Sequence, residues 1–180
     1  FKALGVDITG LYCEMDGHFP NHHPDPTVMR NLKALSRKVV EEKADLGIAF
    51  DGDGDRIGVV DEQGNPIFGD RLLLILARAL IKERPDAEII AEVKCSQVLF
   101  DEIEKAGGKA LMWRVGHSLI KAKMAEDNAL LGGEMSGHIF FRHRYLGFDD
   151  ATYAALRLLE ILSSYDGTIS SLLANVPKTS

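Results

Sequence analysis

Leu46-Gly-Ile-Ala-Phe-Asp-Gly-Asp-Gly-Asp-Arg-Ile-Gly-Val-Val60 is the stretch from which the fold is read. Its two ends, Leu46–Phe50 and Ile57–Val60, are short apolar runs and predict buried strands. Between them Asp51, Asp53 and Asp55 stand at alternate positions, with Gly52 and Gly54 interleaved and Arg56 closing the turn. Carboxylates at this spacing converge only where the backbone curls tightly, and glycine permits the curl. Like charges brought together in a partly buried place repel one another. A hard divalent cation relieves the repulsion, and oxygen ligands with open positions suit Mg²⁺. A merely solvated acidic turn leaves the alternation behind an apolar strand unexplained.

Two rivals share this pattern. In a calcium EF-hand, Asp51, Asp53 and Asp55 would fill the early ligand positions and Glu62 the last. That motif needs glycine where Arg56 stands, and helices where the flanks here are strands, so it is rejected. The second rival is a phosphatase of the haloacid dehalogenase type, with Asp51 as nucleophile and Asp53 as acid/base. Asp55 occupies the place of its usual Thr, and at least one strand precedes the motif where it should open the domain. This reading stays open as the alternative.

Outward from the turn, strand-like and helix-like stretches alternate, which predicts an α/β fold. Before it come a strand over Val6–Tyr12, a Pro-rich loop from Cys13 to Pro26, and a helix from a Thr27 cap to about Lys43. After it, Asp61-Glu-Gln-Gly-Asn-Pro66 is a turn cluster and the expected domain boundary. This divides the chain into 1–65 and 66–180. Helices are predicted over Asp70–Glu83, Gln97–Ala106, His117–Glu126 and Asp149–Ser164, and strands over Glu88–Glu92, Lys109–Trp113, Ala129–Gly132 and Ile139–Phe141. Phe1–Gly5 reads as the tail of a helix and Asn175–Ser180 as a linker, so a piece of a longer chain is expected.

The 180 residues are 46% hydrophobic and 27% charged, enough to bury a core, and carry a formal net charge of −6. No basic stripe speaks for nucleic acid, and no apolar run approaches a membrane span. Cys13 and Cys95 form no Cys-x-x-Cys pair and read as free thiols of a cytoplasmic protein.

A second loop carries chemistry. Gly132-Gly-Glu-Met-Ser-Gly-His138 joins two predicted strands, and its glycines allow close approach to a ligand. Glu134 can accept from vicinal hydroxyls, Ser136 can donate and accept, and His138 can carry a proton near neutral pH. Gly116, His117 and Ser118 open a helix, where backbone N–H groups favour a phosphate. Lys94 follows a strand at the carboxyl edge of a sheet, the place where α/β proteins bind ligands. His22 and His23 are read as a structural loop packed near the site, and Trp113 as core.

With Asp51–Arg56 and Gly133–His138 in hand, the chain resembles the bacterial phosphomannomutase/phosphoglucomutase group of the α-D-phosphohexomutases. Leu11–Gly17, Phe19–Pro26, Gly116–Lys121 and Gly147–Asp150 also look like that group. The resemblance implies two phosphohexomutase-type domains, each a mixed β-sheet flanked by helices, the first incomplete: the latter part of the family's domain 2 and its domain 3. It implies that Asp51, Asp53 and Asp55 hold Mg²⁺ together with a phosphoserine from elsewhere in the polypeptide. Arg56 would stabilise the transferring phosphoryl group, and Glu134 and Ser136 would bind the sugar O3 and O4 hydroxyls. His138 would be an acid/base candidate, and Lys94, Gly116 and His117 would contribute to the substrate pocket. The substrate implied is a hexose phosphate of glucose or mannose, with glucose or mannose 1,6-bisphosphate as intermediate and activator. No phosphoserine segment and no terminal phosphate-binding domain are found in these residues. Alone, the segment is therefore expected to be inactive or a Mg²⁺ and sugar-phosphate binding module.

Overall fold

The computed structural model describes residues 1–177. Two sheets account for the strands. The first contains β1 (Leu46–Phe50), β2 (Ile57–Asp61) and β3 (Pro66–Ile67) in that order, all antiparallel. The acidic turn is the β1–β2 hairpin connection, so the pairing of Phe50 with Ile57 holds its two ends together. The second sheet has the order β5-β4-β6-β7, from β4 (Glu88–Glu92), β5 (Lys109–Trp113), β6 (Leu131–Gly133) and β7 (Ile139–Phe141). Strands β5, β4 and β6 are parallel, and β7 runs antiparallel to β6. The chain leaves β4 for β5 on one side and crosses back to β6 on the other. The carboxyl ends of β4, β5 and β6 therefore open onto one crevice at a switch point.

Burial follows the period of each element. In β4, Ile89 and Ala91 face one core while Ile90 faces another, as alternation along a strand requires. Helix α2 (Gly69–Glu83) is buried nearly all round, with Leu72 to Ala77 continuously inside. A helix apolar on every side belongs between layers, and α2 packs against α3 (Gln97–Lys105), β6 and α5 (Ala151–Ser163). Its core also holds Ile57 and Val59 of the first sheet, so both sheets bury side chains in one apolar body. On the opposite face of the second sheet, α4 (His117–Asp127) covers Ile90 and Phe140 with Ile120 and Met124. Helix α1 (Met29–Glu42) covers the other side of the first sheet, with Leu32 and Val39 against Val60.

Several expectations are corrected. Val6–Tyr12 forms no strand: among the described residues no neighbouring strand supplies hydrogen-bond partners for it, and Tyr12 adopts φ 54°. A strand without a ladder leaves its backbone groups to water. Phe1–Gly5, read as the tail of a helix, does hold a 3-10 turn over Lys2–Leu4, closed by Gly5 in the left-handed region at φ 80°. Thr27 is not the cap of α1; Val28 stands there, and the Thr27 hydroxyl donates to Asp25 Oδ1 at 2.7 Å. Strand β6 begins two residues later than expected, because Asn128 closes α4 in the left-handed region. Helix α5 starts at Ala151, where Asp150 Oδ1 accepts the Tyr153 N–H at 2.8 Å and caps it. The pairing of β3 with β2, across the Asp61–Pro66 turn, was not foreseen. Of the expected terminal linker, 178–180 lie outside the described residues. Among the described residues no helix is long and apolar enough to cross a membrane.

Leu73 is fully buried in α2, and its side chain lies where a Cβ on Gly133 would sit, 2.9 Å away. Leu73→Ala is expected to lower stability by about 2–5 kcal/mol, measured as a shift of the urea unfolding midpoint.

Candidate active site

The acidic turn is organised by one of its own carboxylates. Asp51 Oδ1 accepts backbone N–H groups from Gly54 at 3.0 Å and from Asp55 and Arg56 at 3.1 Å each. Its Oδ2 accepts from Arg56 Nε at 2.7 Å. Gly54 takes φ 78°, a conformation that side chains rarely adopt. Burial works against ionisation of Asp51, but the Arg56 guanidinium and the backbone donors outweigh it, and the carboxyl lies below its ordinary range. Asp55 is displaced the other way, first by burial, then by its hydrogen-bonding contact with Asp51 and, more weakly, by the Asp51 and Asp53 charges, with His138 opposing.

One oxygen from each of Asp51, Asp53 and Asp55 lies within 4.8 Å of the others, and Asp53 is open to solvent. This all-oxygen set, with repulsion still felt at Asp55, fits a hard divalent ion such as Mg²⁺. The Pro-rich loop packs beside it: a Cβ on Gly52 would stand 3.3 Å from Pro24, and Asp25 Oδ1 lies 3.4 Å from an Arg56 terminal nitrogen.

The β6–β7 loop is brought onto this turn by the backbone. Arg56 and His138 form an isolated antiparallel bridge, and Ile57 N–H donates to Gly137 O at 3.1 Å. Gly137 has φ 96°, and a Cβ there would stand 2.4 Å from Ile57 O. His138 Nε2 consequently lies 3.4 Å from Asp55 Oδ1. Its Nδ1 lies 2.8 Å from Glu134 Oε2 and 3.0 Å from Ser136 Oγ. An ionised carboxylate only accepts, so Nδ1 carries a proton where it meets Glu134. Glu134 is buried, and burial disfavours its charge; the His138 contact and the Gly116 N–H nevertheless lower its pKa. That N–H reaches Glu134 Oε1 at 2.8 Å, so Gly116, at the N-cap of α4 with φ 126°, ties the helix start to the loop. His117 begins α4, and its ring centroid is 5.6 Å from that of His138. Lys94 follows β4 at the same edge, with its ammonium 3.4 Å from Glu92 Oε2. The structure therefore brings together Asp51, Asp53, Asp55, Arg56, Glu134, Ser136 and His138 directly, with Lys94, Gly116 and His117 on the adjoining rim.

Sequence reasoning gave no role to Asp149. Its Oδ1 accepts from Lys121 at 2.6 Å, its Oδ2 lies 3.4 Å from His117 Nδ1, and it clusters within 4.8 Å with Asp55 and His138. The signal was a pair of aspartates before a helix where one suffices: Asp150 caps α5 and Asp149 is left for the site. Trp113, read as core, is partly buried, and the cations of Arg114 and Lys123 lie 5.2 and 5.1 Å from its ring centroid.

The domain II model described as phosphoglucomutase/phosphomannomutase, alpha/beta/alpha, matches residues 1–64, and the corresponding domain III model matches 68–180. The chain belongs to the phosphoglucomutase/phosphomannomutase family. A phosphomannomutase/phosphoglucomutase of Pseudomonas putida is 53% identical over 98% of the chain, and one of Pseudomonas aeruginosa 57% identical over 90%. The chain spans 38% and 35% of the length of these two relatives. A solved phosphoglucomutase/phosphomannomutase family protein of Burkholderia thailandensis superposes with a TM-score of 0.95 at 47% identity, covering 99% of this chain and 39% of that one. The fold of this chain is that of family domains II and III.

Gly137→Ala would force the β6–β7 loop off β2. The expected outcome is a loss of about 1–3 kcal/mol of stability from backbone strain, seen in thermal unfolding, together with weakened divalent-ion binding in calorimetry.

Proposed function

We propose that this chain supplies the metal-binding and sugar-reading part of a phosphohexomutase. The enzyme would move a phosphoryl group between C1 and C6 of glucose or mannose phosphate. The observation that carries the reading is the Arg56–His138 bridge, which seats an acidic, metal-suited turn against a loop bearing Glu134, Ser136 and His138. Relatives named phosphomannomutase/phosphoglucomutase support it. The rest of the polypeptide would supply the phosphoserine and the terminal phosphate-binding domain. The division at 65/66, with domain II before and domain III after, belongs to the same proposal. So does a cytoplasmic setting, supported by the free thiols of Cys13 and Cys95.

Asp51, Asp53 and Asp55 would hold Mg²⁺, which when bound offsets negative charge on the phosphoryl oxygens. Arg56 lies beside that turn and would add its guanidinium charge to the same oxygens. Glu134 and Ser136 would bind O3 and O4, where glucose and mannose are alike; the two sugars differ at C2. In the first transfer the phosphoserine P–O bond breaks and the serine oxygen takes up a proton, while a bond forms to the free sugar hydroxyl oxygen and the hydroxyl proton passes to a base. His138 is the candidate base. The resulting 1,6-bisphosphate turns in the site, and its other phosphate returns to the serine as the second hydroxyl is reprotonated. The isolated 180 residues would bind without turnover.

The alternative phosphatase reaction would instead make Asp51 a nucleophile that takes the phosphoryl group and passes it to water. The intact polypeptide, given glucose 1-phosphate, Mg²⁺ and a trace of glucose 1,6-bisphosphate, is expected to form glucose 6-phosphate without releasing phosphate. Stoichiometric phosphate release without isomerisation would replace the mutase reading with the phosphatase one. Asp53→Asn is expected to abolish both Mg²⁺ binding in calorimetry and turnover, and full activity in this variant would sink the metal assignment.

A further inference from the structure

We infer that Glu92 is a positioning residue that couples the Lys94 ammonium to the hydroxyl-reading loop. One buried carboxylate would thus set both halves of the ligand pocket; this rests on the hexose-phosphate reading above. Glu92 ends β4 and is wholly buried. Its Oε1 accepts the Met135 N–H at 2.7 Å, in the middle of the loop between Glu134 and Ser136. Its Oε2 is buried and has no hydrogen-bond partner among the described residues. The Lys94 ammonium, 3.4 Å away, is the cation within ion-pair reach of it there.

A buried carboxylate is unfavourable unless its charge is answered. Attraction to Oε2 therefore draws the Lys94 ammonium toward the sheet edge. The Lys94 side chain stays 55% exposed, so the ammonium is not used up by this contact. An ammonium has three donors, and those not turned to Glu92 can face an anionic ligand in the crevice. Lys94 also helps lower the pKa of Glu134, so its charge is felt at the loop itself. A shift of the loop moves the Met135 N–H, and with it the carboxylate that holds Lys94. A simple structural role, anchoring the loop alone, would need only Oε1.

Glutamine at this position keeps an oxygen for the Met135 N–H and removes the charge opposite Lys94. The test uses the intact polypeptide, with glucose 1-phosphate as the probe. Its Kd is measured for wild type, Glu92→Gln, Lys94→Met and the double variant, with melting temperatures alongside. Glu92→Gln is expected to weaken binding about tenfold in the wild-type background and negligibly in the Lys94→Met background, a non-additivity typical of contacting residues. Equal weakening in both backgrounds, or none in either, overturns the coupling. If Lys94→Met binds as wild type does, the coupling also falls, whereas glucose 6-phosphate formation judges the mutase reading separately. A second measurement needs no change at Glu92. Glucose 1-phosphate is expected to slow hydrogen exchange in the peptide containing Met135 in wild type but not in Lys94→Met. Equal protection in both proteins overturns the inference.

Discussion

Asp51 Oδ1 accepts three backbone N–H groups, and the path of the acidic turn depends on this knot. Without it, a turn carrying three aspartates would open outward and separate its charges. With it, Asp53 and Asp55 are swung to one side, and Arg56 is folded back onto Asp51 Oδ2. The turn is therefore stiff before any ion arrives. A site whose ligands are already held in place by their own backbone loses less on binding than one that must collapse.

That stiffness is passed to the second loop through the main chain. The Ile57 N–H to Gly137 O bond and the Arg56–His138 bridge join the end of the β1–β2 turn to the β6–β7 loop. The Ala151 N–H also donates to Gly54 O at 3.0 Å, so the start of α5 buttresses the same turn from behind. The carboxylates of one sheet and the imidazole of the other are thus fixed relative to each other by backbone. Long side chains reaching across a gap would fix them less well. Small residues make the approach possible: at Gly69, at the head of α2, a Cβ would stand 2.6 Å from Met135 O.

The parts legible in the sequence are those whose chemistry is local. The acidic turn advertised itself through its spacing, and Gly133–His138 through polar residues framed by glycines. Both were readable because each loop carries its candidate ligand groups in consecutive residues. The long elements were readable for the same reason, since period and length are local. Val6–Tyr12 failed because a strand is a relation between two segments, and its apolar pattern says nothing about whether a partner is present. Glu92 was unreadable as a site residue, and Asp149 only faintly readable, for a parallel reason. Glu92 looked like the polar end of an apolar strand; its importance comes from a loop 43 positions away. Asp149 needed Lys121, 28 positions distant, to be seen.

Glu134 is placed so that one group could both build the site and serve its proposed ligand. Its oxygens are engaged by Gly116 N–H and His138 Nδ1, one on each. An ionised carboxylate offers about four lone-pair directions, so acceptor capacity is left after these two contacts. The engaged directions fix the side chain in place, and the remaining ones are what a pair of sugar hydroxyls would meet. A carboxylate free of internal partners would accept hydroxyls equally well but would first have to be ordered, at the cost of side-chain entropy. Holding Glu134 by α4 on one side and by the imidazole on the other removes that cost, and it makes the proposed sugar-reading face inseparable from the residue proposed to move the proton.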